Sequence, residues 1–244
     1  MPIYKSTDGI AKINTTSTIF RGAEMVFGSG LFISASGGNI TTDGDYKIHT
    51  FSTPGTSSFT IESIASPNNL NSVEYLIQGG GGSGAKQPGS FAGGGAGGGI
   101  QTGSFTISPT TYEVIVGAGG IFPGGSPLNG IPGNDSSLGA IVGCGGGGGE
   151  TSGTDEGGGD NCDFTASGNA GASNNSDAIE NILAPDGLFS SISGTSTQYG
   201  RGGDSDTGSP RTGVIGQGGN AGSGLSITAG NGEDGIVIVR YKYK

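Results

Sequence analysis

The distribution of glycine constrains this chain more than any other feature of it. Of its 56 glycines, 48 fall between Gly79 and Gly235. They gather in runs at 79–84, 93–99, 117–120, 145–149, 157–159, 202–203 and 216–224. Contiguous glycine forms neither a good helix nor a good strand, because each residue loses the most backbone freedom on ordering. No Gly-X-Y period is kept, which excludes a collagen triple helix. Hydrophobic residues other than glycine make up only 31%, and charged residues, at 12%, are about half the globular norm of about 25%. That leaves too little apolar surface for an ordinary α/β enzyme core throughout.

Disorder is the first alternative, but its usual companion, a high density of charge, is missing. Ordered segments also bracket the glycine region and recur inside it. Residues 46–51, 58–64, 72–78 (SVEYLIQ) and 236–243 read as strands by alternation and β-branched content. Within the region, 102–107, 112–116 and 138–142 read the same way. The SDAIENIL stretch at 176–183 is the one candidate for a helical turn, with Ser176 as N-cap. The expected fold is therefore all-β.

A glycine run can be ordered if it extends as a polyproline-II-like helix, with three residues per turn and about 3.1 Å of rise per residue. Such a helix has no internal hydrogen bonds, so its N–H and C=O groups must find neighbouring runs. Several runs packed side by side would satisfy one another. Residues between the runs would then turn the chain, and recognition generally resides on loops held by a rigid scaffold. Phe91, Phe122, Phe164, Phe189, Tyr199 and Arg201 stand in those intervals and are the candidate receptor-binding residues. The competing reading makes the aromatics small caps on the ends of the lattice.

Two units are expected. Residues 1–36 read as short hairpins turning at Thr7-Asp8-Gly9 and Gly22-Ala23, too small for a strong core of their own and so a candidate attachment module. Residues 37–244 form the second unit. It comprises entry strands at 37–78, a glycine-run body at 79–235 and a closing strand at 236–243.

Several chemistries are disfavoured. Net charge is −10 with a pI near 4.3, which argues against nucleic acid and anionic membrane as partners. No signal peptide or membrane-length apolar run is present, so the product is expected to accumulate in the cytoplasm where it is made and to leave by lysis. Gly143-Cys144-Gly145-Gly146-Gly147-Gly148 matches GxGxxG, but no helix pattern follows, as a dinucleotide site requires. His49, the only histidine, sits mid-strand and reads as a packing residue. The clusters Asp155-Glu156, Asp160, Asp163 and Asp204-Ser205-Asp206 read as solvated loops, with calcium as the alternative. Cys144 and Cys162 allow one disulfide at most, against two buried thiols. No catalytic group, cofactor or metal is assigned.

The segments Thr41-Thr42-Asp43-Gly44-Asp45-Tyr46-Lys47-Ile48-His49-Thr50-Phe51, Val73-Glu74-Tyr75-Leu76-Ile77-Gln78-Gly79-Gly80-Gly81-Gly82, Tyr112-Glu113-Val114-Ile115-Val116-Gly117 and Asp234-Gly235-Ile236-Val237-Ile238-Val239-Arg240-Tyr241 together resemble a glycine-rich domain common in phage tail proteins. The resemblance covers residues 39–243. It implies a structural virion protein of a tailed phage, made in the host cytoplasm. It is also loosely similar to the tail-fibre adhesins of T-even-type phages, in which a polyglycine lattice displays receptor-binding loops. On that resemblance the protein is a tail fibre or tail-tip component. It would join other tail proteins through residues 1–36 and bind an outer-membrane protein or polysaccharide of the host. A capsid decoration or head-fibre protein is the second reading, and a polysaccharide depolymerase the third. Both a homotrimer and a single-chain lattice stay open.

Overall fold

The computed structural model describes 4–5, 10–13, 18–21, 24–27, 32–65, 71–88, 92–125, 128–151, 187–204, 214–223 and 228–244. Strands β1 (Tyr4–Lys5), β2 (Ile10–Ile13), β3 (Thr18–Arg21) and β4 (Glu24–Phe27) pair in chain order as an antiparallel sheet. The body is all-β, and no helix occurs among the described residues. The SDAIENIL stretch at 176–183 lies outside them.

Two five-stranded sheets face each other. The first is assembled from β6 (Asn39–Asp43), β7 (Tyr46–Phe51), β9 (Ser72–Gln78), β11 (Ile100–Thr106) and β18 (Ile236–Lys242), in the order β11-β9-β18-β7-β6. The second holds β5 (Ser34–Ser36), β8 (Gly55–Ser63), β12 (Thr111–Val116), β13 (Ser136–Leu138) and β14 (Ile141–Gly143), in the order β14-β13-β12-β8-β5. Every pairing in both sheets is antiparallel. Between the sheets lies the main core, with Phe59, Val73, Ile77, Val114, Leu138, Val237 and Val239 at its centre. The first sheet is covered on its other face as well. Ile48, Leu76, Ile100, Ile236 and Ile238 pack there against Ile192 and Tyr199. These come from the hairpin β15 (Leu188–Ser190) and β16 (Thr197–Tyr199) and its turn.

Burial on both faces explains why Ile236-Val237-Ile238-Val239 is continuously apolar. The strand expected to close the fold is therefore its centre, flanked by β9 and β7. Residues 34–36, grouped by sequence with the N-terminal module, are an edge strand of the second sheet, and Ala35 belongs to the main core. The segment 138–142, read as one strand, is a hairpin between β13 and β14. Its turn passes through Gly139 at φ +59°, a conformation L side chains resist.

The glycine runs extend from the strand ends on one side of this sandwich. Run a (79–85) leaves β9, run c (117–120) leaves β12, run e (144–150) leaves β14 and run f (200–204) leaves β16. Runs b (92–99), d (130–135) and h (230–235) return into β11, β13 and β18, while run g (216–221) leads outward toward h.

Run a is the axis of the bundle. Its N–H groups go to three different neighbours in strict rotation. Gly79, Gly82 and Ala85 donate to Gly99, Ala96 and Gly93 of run b at 3.1, 2.9 and 3.0 Å. Gly80 and Ser83 donate to Asn134 and Ile131 of run d at 2.9 and 2.8 Å, and Lys86 continues the series to Leu128. Gly81 and Gly84 donate to Glu233 and Gly230 of run h at 2.9 and 3.0 Å. Its carbonyls accept from three others: Gly80 and Ser83 from Gly146 and Gly149 of e, Gly82 from Gly219 of g, and Gly81 from Gly120 of c.

The six surrounding runs also bond to one another in the ring order b-e-d-c-h-g. Bonds such as Ala96 to Gly147, Gly133 to Gly146, Gly232 to Gly120, Glu233 to Gln217 and Gly98 to Gly216 hold that ring together. Outgoing and returning runs alternate around it. Run f lies outside, between b and g, through Gly203 to Gly95 and Gly218 to Arg201.

Only glycine allows this approach. A Cβ on Gly82 would lie 2.0 Å from the Gly147 carbonyl oxygen.

Small polar residues of the bundle have a distinct role. Where no backbone carbonyl accepts a run's N–H, a side-chain oxygen of the adjoining run or strand accepts it instead. Gly119 donates to Asp234 Oδ1, Gly145 to Asp135 Oδ1, Gly117 to Ser136 Oγ and Asp204 to Asn220 Oδ1, all at 2.8–2.9 Å. The Ser83 Oγ, inside the axial run, accepts from Ile131 N at 2.7 Å. These side chains supply acceptors that the neighbouring backbone carbonyls do not.

Candidate functional site: the far end of the glycine bundle

Because outgoing and returning runs alternate, their connections gather at the end away from the sandwich. The described parts of those connections are stitched together. Strand β10 (Lys86–Gln87), after run a, pairs parallel with β17 (Gly222–Ser223), after run g. Lys86 also bridges to Leu128 on the connection between c and d. Thr151, after run e, donates from both its N–H and its hydroxyl to Asn129 Oδ1 at 2.9 Å. Phe122 N–H donates to Asn231 Oδ1 of run h at 2.9 Å.

Among the described residues, the connection between c and d, with Ile131 at the start of d, presents the most apolar surface. Ile121 is 68% exposed, Ile131 44% and Leu128 37%, three of the five large hydrophobics exposed among the described residues. Desolvating such side chains is the usual basis of a recognition patch.

A family model described as a glycine-rich domain matches residues 52–242. The chain belongs to the glycine-rich domain family. A search of curated protein sequences finds no match. The matched span starts within the sandwich, so β5, β6 and β7, which complete the two sheets, precede it.

Within the glycine-rich domain the sequence-derived candidates separate. Phe122 is half-buried on the exposed c–d connection. Phe189 is 61% exposed, but it lies on β15 at the flank of the sandwich rather than at the bundle end. Phe91 and Phe164 lie outside the described residues. Tyr199 and Arg201 are interior, which corrects their reading as display residues. Tyr199 is fully buried in β16 against the first sheet. Arg201 is 3% exposed and its Nη2 donates to Asp204 Oδ1 at 2.7 Å. Both look like loop residues in sequence because they sit at the edge of a glycine run, beside Gly200, Gly202 and Gly203. Packed runs bury a large side chain as effectively as a sheet does. Asp204 is likewise buried and ion-paired rather than solvated.

Leu128 and Ile131 are absent from the sequence-based candidates, which are aromatic residues and Arg201. Their signal was Pro127-Leu128-Asn129-Gly130-Ile131-Pro132, where aliphatic residues fall between turn formers.

Cys144 is buried and disulfide-bonded, and Cys162 lies outside the described residues. Among the described residues no three His, Cys, Asp or Glu side chains group as a metal site. The acidic cluster at 155–163 lies outside them. No helix among the described residues is long and apolar enough to cross a membrane.

His49 is fully buried and has both ring nitrogens engaged. Nδ1 lies 2.7 Å from the Gly37 carbonyl and must donate to it, which leaves Nε2 to accept from Tyr241 Oη at 3.1 Å. Burial is the main cause holding the His49 pKa below its ordinary value; the bond to Gly37 opposes it and Lys47 adds to it. Burial likewise pushes the Tyr241 phenol up to about 12, against a bond from the Ala35 backbone and with a contribution from Glu62. The group ties residues 35–37 to β7 and β18 and thereby fixes where the chain enters the sandwich.

Proposed function

We propose that this glycine-rich domain is a virion component of a tailed phage, a tail fibre or tail-tip protein that binds the host surface through the connections at the far end of its bundle. The run geometry is read as polyglycine II, and the observation that carries the reading is the threefold rotation of donors along run a. A seven-run bundle of this kind is stiff because each run is held by its neighbours, and it leaves its connections free to vary in sequence. Those are the properties an adhesin needs: a fixed frame and replaceable tips. The exposed Ile121, Leu128 and Ile131 fit a protein or lipid-proximal receptor better than a flat glycan. Strands β1–β4 would serve as the attachment module to neighbouring tail proteins, and the fold is made in the host cytoplasm and released by lysis.

The test uses particles of the phage whose genome carries this gene. Immunogold labelling with antibodies to the chain is expected at the tail tip. Purified protein is expected to block adsorption, and Ile121→Asp with Leu128→Asp to remove the block while preserving the folded signal. Capsid labelling would replace the adhesin reading with a decoration protein. Halo formation on host lawns by the purified protein would replace it with a depolymerase.

A further inference from the structure

The outer face of the first sheet is covered only in part. Near the bundle the β15–β16 hairpin lies over Ile48, Leu76 and Ile238. Beyond the edge of that hairpin the next cross-strand rows are open on β11, β9 and β18, while Ile48 of β7 stays covered. Register places Ser104 beside Glu74, Glu74 beside Arg240, and Lys242 beside Tyr46. Two adjoining cavities of about 250 and about 350 Å³ run along this step and share Glu74, Ser104 and Arg240. Their remaining lining mixes the small hydroxyl residues Ser72, Thr102, Ser190 and Ser191 with Tyr46, Ile192 and Lys242. Each is close in size to the smaller end of ligand sites, about 300 Å³.

The charge of this step is opposite to that of the chain. The protein carries −10 overall, yet the groove presents Arg240 and Lys242 against the single carboxylate of Glu74. The Arg240 guanidinium lies 4.7 Å from the Tyr46 ring centroid and the Lys242 ammonium 5.9 Å from it. Arg240 Nε donates to Glu74 Oε2 at 2.9 Å and Nη2 bonds the same oxygen. The guanidinium is thereby held flat, with N–H donors to spare. Glu74 Oε1 accepts no hydrogen bond among the described residues and stands beside those donors. A fixed row of donor, acceptor and hydroxyl groups with one excess cation matches a chain of hydroxyls that carries carboxylates.

We infer that this groove binds an acidic saccharide, laid across the open rows of the first sheet with a sugar carboxylate at Lys242 and Arg240 and its hydroxyls on Glu74 and the serines. The site is independent of the bundle end and of the phage assignment. Its shallow floor, with Arg240 and Glu74 side chains 20% and 45% exposed, suits an extended polymer held weakly at repeated sites.

The test is NMR titration of the full chain with alginate oligosaccharides and, separately, with neutral dextran oligosaccharides. Shifts confined to β9, β11, β18 and 190–192 are expected with alginate, weakening as salt rises. Lys242→Glu, at an exposed side chain, is expected to weaken binding about fivefold. The double variant Arg240→Ala with Glu74→Ala removes the pair without leaving a lone charge and is expected to abolish it. The inference is overturned if alginate causes no shifts, if dextran binds equally well, or if both variants bind as the parent does.

Discussion

Replacing Gly82 by alanine tests whether the glycine runs pack as described. The new Cβ would sit 2.0 Å from the Gly147 oxygen and 2.5 Å from its carbon, whereas ordinary contact begins at 3.4 Å. Run a or run e must therefore move by about 1.4 Å, the difference between the two oxygen distances. A shift of that size breaks the bonds from Gly82 N to Ala96 O and from Gly219 N to Gly82 O, now 2.9 and 2.7 Å. It also disturbs the bond from Ala96 N to Gly147 O at 2.8 Å. Each buried group left without a partner costs about 1–3 kcal/mol. Two or three of them amount to about 2–9 kcal/mol, comparable with the whole stability of a domain, about 5–15 kcal/mol.

Gly93→Ala is the matched control. Its Cβ would meet Glu150 at 3.4 Å, an ordinary contact, and its φ is not positive. Restricting the unfolded chain there should stabilise the protein by about 0.4–1 kcal/mol. Urea unfolding followed by circular dichroism measures both. If the two variants lie within 1 kcal/mol of each other, the bundle is not close-packed and the argument from backbone contact is wrong.

Three further outcomes are expected. Asp204→Ala removes the carboxylate bonded to the buried Arg201 guanidinium and should cost about 3–5 kcal/mol, which thermal unfolding will register; a cost below 1 kcal/mol would mean that this pair adds little to the fold. Burial keeps His49 neutral in the fold, while the unfolded chain takes up its proton below 6.5. Stability should thus be insensitive to His49 above that pH, fall as the pH drops below it and level off under the folded pKa. His49→Gln should flatten the slope between pH 6.5 and 5, and an unchanged slope would count against the assignment. Finally, non-reducing peptide mapping should recover Cys144 linked to Cys162, the only other cysteine. Its reduction should cost about 3 kcal/mol by loop entropy, and an alkylated Cys162 in the unreduced protein would refute the link.

Much of the framework was legible because it depends on local pattern. Strands β9, β12 and β18 stand out by β-branched content, and the runs between them could only be ordered by one another. Position within the whole was not legible. Nothing in Gly79-Gly80-Gly81-Gly82 distinguishes the axial run from a peripheral one such as Gly145-Gly146-Gly147-Gly148. That difference is set by six partners drawn from across the chain. β18 was recognisable as a strand, but its central place rests on pairing with residues far upstream. Tyr199 and Arg201 were misplaced for a related reason. They adjoin Gly200 and Gly202 in sequence, whereas burial is decided by neighbours in space. Asp204 reads as a solvated loop residue for the same reason, whereas the fold buries it against Arg201 and passes its N–H to Asn220.

The axial position of run a has a consequence for how the chain is made. Residues 79–85 emerge early in synthesis, yet their partners include 230 and 233, and the strand they continue pairs with β18. A nascent chain holding only the first runs has a centre with no surround, and such distant contacts close slowly. The fold therefore forms as a late, concerted event rather than by accretion from the amino end. A chain stopped anywhere before residue 236 would lack the strand between β9 and β7 and would leave the main core open. Assembly in this architecture is a check on completeness: a molecule that has closed its bundle has been translated through to β18.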